Sequence, residues 1–433
     1  MPAASSQSAD GTLYPASRPA AKTVLVLTPT FVPDPAAVGQ HMAEMAVEMA
    51  RRGHRVLVYT ANRGYDNPAD HYPAWEDYHG VSVRRLPLSS FGKANFLTRA
   101  LGTLSFAVQC FFRVLLKPRV AGIVITTSPP FSDLAGAIAG WIRRRPVVYW
   151  AMDLYAEQVV ALGRMERGSR AARILQLIQR FILRRSTKVI ALDRFMAQLL
   201  DSRVPVADRT LVIAPWPLES HIAAVPHEAN PFREAHGLQG KFVVMYSGNH
   251  TPTNPLTTLL EAAVRLKDDP DIRFVFVGGG RGKQEVQDTI ARHSLTNALS
   301  LPYQPLAQLG NSLSAADVHV VSLGQRLVGI CHPCKVYGAM AVGRPLLYLG
   351  PRPSHVSDLL DAGEIGWHVD HGDVDGMVAA IRAARQMPEG RREEMGRRAR
   401  MILQQRLSQE ALRGQLCDEL ERTMGLSGRT VDG

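Results

Sequence analysis

Twice along this chain, short runs of Val, Ile and Leu alternate with amphipathic helical stretches, and no other feature constrains the fold as strongly. Parallel neighbouring strands need a crossover, usually a helix, so the alternation predicts parallel sheets wrapped by helices. In the first half the expected strands are Thr23–Thr28, Arg55–Thr60, Val81–Leu86, Gly122–Thr127, Val147–Trp150, Lys188–Ala191 and Leu211–Ala214. The expected helix Val38–Arg52 carries Val38, Met42, Met45, Ala46 and Met49 on one face and stops at Gly53.

The pattern breaks at Pro215-Trp216-Pro217 and stays poorly periodic to Gly240, which reads as an interdomain linker. It restarts with Phe242–Tyr246, Arg273–Val277, Ala298–Leu301, Val318–Leu323, Leu346–Leu349 and Gly366–Val369, and from about Arg391 to Met424 reads as helix only. A chain of 433 residues exceeds the roughly 250–300 at which one core stops growing. The reading is therefore two Rossmann-like α/β domains, 22–217 and 218–405, followed by a helix and tail over 406–433. Residues 1–21 are rich in Ala, Ser and Pro without an apolar h-region, and are expected to be a disordered tail, not a signal peptide.

An apolar fraction of 46% with 21% charged residues is that of an ordinary globular protein. Cys110, Cys331, Cys334 and Cys417 are too few and scattered for a disulfide framework, which fits a reducing compartment. Cys331 and Cys334 form a lone C-x-x-C; zinc would want a second pair or more histidines, so packing thiols are expected and no metal. The most apolar stretch, Leu101 to Leu116, is interrupted by Gln109 and Arg113 and falls short of a membrane span. Much of the net charge of +11 is local: Trp141 to Ile190 holds eleven Lys and Arg against three acids. Such a cluster suits an anionic partner, although a solvated helix face would look the same.

Ligands of open parallel sheets bind beyond the carboxyl ends of the strands. Four loops there stand out. Gly39, after the first strand, lets a backbone or a ligand approach a helix start. In Tyr246-Ser247-Gly248-Asn249-His250, Gly248 can bring amides to a diphosphate and Asn249 can donate; a plain turn would look alike. In Gly329 to Pro345 a helix is expected near His332 with Pro333 in its first turn, and Lys335 would neutralise a leaving diphosphate or lie on the surface. Asp153, after Trp150, either meets an acceptor hydroxyl or caps a helix. Two motifs read as decoys: Asp269-Pro270-Asp271 lies before a strand, and Gly278-Gly279-Gly280-Arg281-Gly282 lacks the acidic partner of a dinucleotide site.

From Lys22 to about Leu420 the chain resembles the family-four glycosyltransferases of GT-B fold, in the bacterial branch of colanic-acid and N-acetylfucosamine transferases. The stretches that carry the likeness are Arg51-Arg52-Gly53-His54-Arg55-Val56, Tyr149 to Tyr155, Tyr246-Ser247-Gly248-Asn249, Leu301 to Pro305, Ala315-Ala316-Asp317, His332 to Tyr337 and Gly343-Arg344-Pro345. The resemblance implies a UDP- or GDP-sugar co-substrate, a retained anomeric configuration, no tightly bound metal or cofactor, and a last helix crossing back to the first domain. It also implies Tyr303 in the loop facing the base, and Gly329, Ile330, Cys331 and His332 beside the donor. The chain departs from the wider family at Ile330 and Gly338, where two glutamates usually stand, at Asn249 in place of an Arg, and at Ala156 in place of a Pro.

On an expected helix from Ser169 to Arg185, Arg170, Arg173, Arg180 and Arg184 fall within an arc of about 80°, with Ile174, Ile178, Phe181 and Ile182 beside them. That suits anionic lipid, so the expectation is a peripheral enzyme at the inner face of the bacterial plasma membrane with a polyprenyl-diphosphate-linked acceptor. Two rivals stay open: a GT-B sugar-nucleotide epimerase, and a basic nucleic-acid-binding protein. The second lacks the aromatic–basic interleaving of single-strand binders, so no nucleic acid is expected.

Overall fold

The computed structural model describes residues 22–34, 36–64, 69–89, 96–127, 131–218 and 222–426. The expected disordered tail at 1–21 and the residues after 426 lie outside the described residues.

Eight strands form the first sheet: β1 (Thr23–Leu27), β2 (Arg55–Ala61), β3 (Trp75–Tyr78), β4 (Val81–Leu86), β5 (Val120–Thr126), β6 (Val147–Trp150), β7 (Lys188–Ala191) and β8 (Thr210–Val212). Their order is β3-β4-β2-β1-β5-β6-β7-β8, and only β3–β4 is antiparallel. β1 and β5 are buried along their whole length, the signature of a strand covered on both faces. The connecting helices are α1 (Ala37–Arg51), α2 (Phe96–Leu116), α3 (Ser132–Ile142), α4 (Tyr155–Ala161), α5 (Arg170–Arg185) and α6 (Arg194–Arg203). α1 ends where Gly53 takes a φ of +83°, a left-handed conformation glycine adopts freely.

β3 is missing from the expected set because Trp75-Glu76-Asp77-Tyr78 is short and polar, an edge strand held by β4 alone. Ile182 does not stand beside the arginines of α5. It is 1% exposed and points into the core.

The second sheet runs β11-β10-β9-β12-β13-β14, all parallel. Its strands are β9 (Phe242–Ser247), β10 (Ile272–Val277), β11 (Ala298–Leu301), β12 (Val318–Ser322), β13 (Leu346–Leu349) and β14 (Gly366–Val369). Helices α7 (Pro231–Ala235), α8 (Thr257–Arg265), α9 (Lys283–His293), α10 (Leu309–Ser314), α11 (Lys335–Ala341), α12 (His355–Gly363), α13 (Val374–Gln386) and α14 (Glu389–Arg406) surround it.

The final helix, α15 (Gln409–Met424), packs on α1 of the first domain. Gly122 of β5 makes room for Met424, whose side chain a Cβ there would strike. Arg52 pairs with Asp418 at 2.6 Å and Glu421 at 3.2 Å, and His54 meets Glu421 at 2.7 Å. The Arg52–Asp418 pair is exposed and adds little, whereas burial of Leu416, Cys417 and Leu420 holds the helix down. One apolar core also joins the domains, running from Trp150 and Trp216 to Ile330, Tyr337 and Met340.

The strand order reverses between β1 and β5 in one sheet and between β9 and β12 in the other. Those switch points are where open α/β sheets form ligand crevices.

Candidate active site

Two glycine turns interlock beyond β9 and β10. Gly248 adopts φ +139°, Gly278 +137° and Gly280 +108°, all within reach of glycine alone. A Cβ on Gly278 would run into the Gly248 carbonyl, and one on Gly280 into Asn249 Oδ1. Gly248 N donates to Val277 O at 2.9 Å and His250 N to Gly279 O at 2.7 Å. Lys283 Nζ ties the second turn down through Gly278 O at 2.8 Å and Leu301 O at 2.9 Å. The triple glycine is thus the support on which Gly248 and Asn249 rest, a role that the decoy reading missed. Tyr303 covers the same support: a Cβ on Gly279 would lie 2.9 Å from its ring.

Lys335 lies across Gly248, where an added Cβ would stand 2.8 Å from the Lys335 Cδ. Its Nζ sits 5.7 Å from the centre of the Tyr246 ring. With the Asn254 amide turned to satisfy its neighbours, Asn254 Oδ1 accepts from Lys335 Nζ at 3.1 Å and Nδ2 donates to Ser322 O at 2.8 Å. Burial pulls the amine's pKa below its ordinary value, countered by Cys334, Asp153 and Cys331.

α11 begins at Lys335, not near His332 as expected. Cys334 N donates to the His332 carbonyl at 2.9 Å, a turn too tight for a helix, so Pro333 stands ahead of the first helical residue. The cause lies across the crevice. Asp193 of the first domain accepts from Met196 N at 2.8 Å through Oδ1, capping α6, and bonds His332 Nδ1 at 2.8 Å through Oδ2. The chain continues from His332 Nε2 to Tyr337 Oη at 2.6 Å and on to His355 Nε2 at 3.1 Å. Burial pushes the Asp193 carboxyl up, but the hydrogen bond and charge of His332 outweigh it and hold the pKa below the ordinary value. Burial lowers His355 to about 3, helped by His332. Asp193, His332 and His355 also bring three metal-ligating atoms within 4.8 Å of one another, but hydrogen bonds occupy both His332 nitrogens.

Asp153 enters from the opposite wall. Thr127 Oγ1 accepts from Met152 N at 3.1 Å and Asp153 N at 2.9 Å, fixing the turn after β6. The carboxylate keeps accessible surface yet has protein around it, as at the floor of a crevice. Burial raises its pKa, opposed by His332, a hydrogen bond with Cys331, and Lys335. Asp153 and Lys335, on different domains, therefore feel each other's charge.

The remaining expected residues are placed as follows. Gly39 lets a backbone, that of Thr30 and Phe31, come to 3.1 Å of an added Cβ. Gly329 packs on the Phe195 backbone, 2.7 Å from such a Cβ. Ile330 O accepts from Leu154 N at 3.0 Å across the two domains, while Ile330 N and Cys331 N both donate to Leu327 O within their own loop. Cys331 Sγ takes a bond from Gln158 at 3.1 Å, whereas Cys334 is exposed and is not the packing thiol expected. Asp269 and Asp271 pair with Arg385 at 2.7 and 2.6 Å, which gives the D-x-D segment a structural role. Arg170, Arg173, Arg180 and Arg184 are all exposed on α5.

Sequence reading missed Asp193, Tyr337, His355, Asn254 and Gly278. Gly278 carried a local signal, a glycine run directly after a strand, and Tyr337 lay in the stretch His332 to Tyr337 that carries the family likeness; the other three carried none.

Residues 36–216 match the model described as glycosyl transferase 4-like domain, and residues 229–401 the one described as glycosyl transferases group 1. The chain belongs to the family-four glycosyltransferases of GT-B fold. This transferase is 27% identical over 385 residues to the "Putative colanic acid biosynthesis glycosyl transferase WcaI" of Escherichia coli (strain K12), covering 84% of this chain and 93% of that one. It is 26% identical over 322 residues to the "Probable glycosyltransferase WbjE" of Pseudomonas aeruginosa, covering 73% and 78%. In fold it matches Anabaena HepE, solved with UDP and glucose, at a TM-score of 0.69 and 18% identity over 93% of this chain and 100% of that one. It also matches WaaG, a glycosyltransferase involved in lipopolysaccharide biosynthesis, at 0.67 and 15% over 92% and 99%.

Proposed function

We propose that this transferase moves a sugar from a UDP- or GDP-sugar to a lipid-linked or saccharide acceptor in cell-surface polysaccharide biosynthesis. One observation carries the reading: Lys335 lies across Gly248 in one domain, and Asp153 of the other domain is near enough for the two charges to act on each other. As the donor's glycosidic bond breaks, negative charge grows on the departing diphosphate. The Lys335 ammonium, lying across the Gly248 turn, is the group that would neutralise that charge as it develops. A desolvated amine holds its proton more tightly once an anion arrives, so donor binding would itself favour the charged form. Asp153 would orient the acceptor hydroxyl or help remove its proton. Tyr303, stacked over Gly279, is our candidate for the nucleoside base.

Transfer with retention and without a bound metal follows from the family resemblance, and Lys335 supplies the cation such a reaction needs. The names of WcaI and WaaG and the UDP in HepE support the donor and pathway class. No helix among the described residues is long and apolar enough to cross a membrane. The exposed α5 arginines support a polyprenyl-diphosphate-linked acceptor met at the inner face of the bacterial plasma membrane.

Thermal shift with UDP-, GDP- and ADP-sugars tests the proposal, since a ligand at 100 times its Kd adds about 2.7 kcal/mol of stability. One nucleotide class should raise the melting temperature, and Lys335→Ala should abolish most of the shift. If no nucleotide sugar stabilises the protein, the proposal fails. Donor turnover without any acceptor would point to an epimerase instead.

A further inference from the structure

α2 is apolar on two sides. Phe106, Cys110 and Val114 face the core at 1% exposure or less. Leu101, Leu104, Val108, Phe112 and Leu116 face outward at 46% to 77% exposure, within an arc of about 120° at 100° per residue. An ordinary surface helix turns a polar face to water, so this second stripe calls for a cover. α3 packs between α2 and α5, and its run of Ala and Gly sinks it below both. Only Trp141 and Ile142, at its end, are exposed, while α5 adds Ile174 and Leu177. Among the described residues, nine of the fifteen exposed large apolar side chains thus share one flank, which makes it a patch and not scatter.

The charge on that flank decides what covers it. α2 and α5 contain no Asp or Glu, and the single acid of α3, Asp133, is buried. Arg170, Arg173, Arg180 and Arg184 are exposed beside the apolar residues, and Arg185 lies 4.5 Å over the Trp141 ring. A second copy docked by two-fold symmetry would set these arginines against one another. An anionic bilayer satisfies both halves of the surface, with head groups on the arginines and the acyl boundary on the leucines.

We infer that α2 is an in-plane membrane-insertion helix, its outer stripe buried in the acyl boundary of an anionic bilayer while the α5 arginines hold the head groups. This deepens the membrane part of the function proposed above and rests on it. It differs from charge-only docking because insertion persists when salt screens the arginines. The topology gives it a purpose. α2 and α5 each run back from the carboxyl ends of the strands, so their first turns lie at the crevice rim, and α5 follows Asp153 through α4 alone. A lipid-anchored acceptor would reach the crevice without leaving its leaflet.

Vesicle flotation with the full chain tests this, using phosphatidylcholine with and without phosphatidylglycerol, at low and high salt. The unaltered protein should float with phosphatidylglycerol vesicles and keep part of its binding at high salt. The double variant Leu104→Glu/Phe112→Glu should partition about a hundredfold more weakly at either salt, about tenfold for each apolar anchor lost. Its nucleotide-sugar melting shift should be unchanged, so loss of docking is separable from loss of the donor site. Flotation equal to that of the unaltered protein overturns the inference. So does light scattering that finds a dimer which the double variant dissociates, since a second copy then covers the stripe.

Discussion

The Asp193 carboxylate serves two ends of the molecule with its two oxygens: one caps α6 and the other holds His332 of the opposite domain. Asparagine is also a good helix cap, so Asp193→Asn should spare α6 while weakening the grip on His332. A hydrogen bond to a charged group contributes about 1.5–3 kcal/mol. We therefore expect kcat/KM to fall roughly tenfold to a hundredfold with little change in circular dichroism, measured by steady-state transfer. Asp153 makes a prediction of a different kind. Its pKa is raised by burial, so the carboxylate that we propose as the base would form at a higher pH than an ordinary carboxylate. Activity should decline as pH falls through that raised pKa. Asp153→Asn should lower kcat by about 10²–10⁴-fold and erase this acid limb. An acid limb that survives the substitution removes Asp153 from the chemistry.

At the scale of elements, the proposed donor side is two turns that interlock. Gly278 has φ +137° and no room for a Cβ beside the Gly248 carbonyl. Gly278→Ala would pay both a left-handed strain of about 1–3 kcal/mol and a displacement of the Gly248 turn. The expected result is a folded protein by circular dichroism that no longer shows a nucleotide-sugar melting shift. α11 shows how a neighbouring domain edits an element: with His332 pinned to Asp193, helix formation starts at Lys335. Propensity placed that start earlier because it knew nothing of a partner across the crevice.

For the molecule as a whole, one core joins the domains, and three histidines are kept neutral by their surroundings, His41 and His319 buried and His355 half-buried. Burial depresses His41 and His319 to about 4 and His355 to about 3, His41 and His355 being lowered further by His332. Unfolded histidines bind protons near pH 6.5. Between that value and the folded values the unfolded chain carries more protons, so stability drops as pH is lowered. Each such histidine contributes up to about 1.4 kcal/mol per pH unit in that window. Urea unfolding at pH 7.5, 6.5 and 5.5 should therefore show little change over the first step and a clear loss over the second. Equal stability at pH 6.5 and 5.5 would contradict the assignment of these histidines as neutral.

Composition and periodicity sufficed for the fold class. Thirteen of the fourteen strands among the described residues are visible as short β-rich runs, most clearly the inner ones such as β1, β5, β12 and β13, because a strand covered on both faces is apolar along its length. Gly248, Lys335 and Asp153 are candidates on another ground: loops after parallel strands are where ligands bind, whatever the ligand. What no local pattern encodes is which side chains meet across the crevice. Asp193 and His332 are 139 residues apart, and β3 is a strand only because β4 offers it an edge. The exposed stripe on α2 is likewise invisible to hydropathy, which counts apolar residues without knowing which of them the core has taken. Those are decisions of tertiary structure, because burial and hydrogen bonding depend on partners that the neighbouring sequence does not contain.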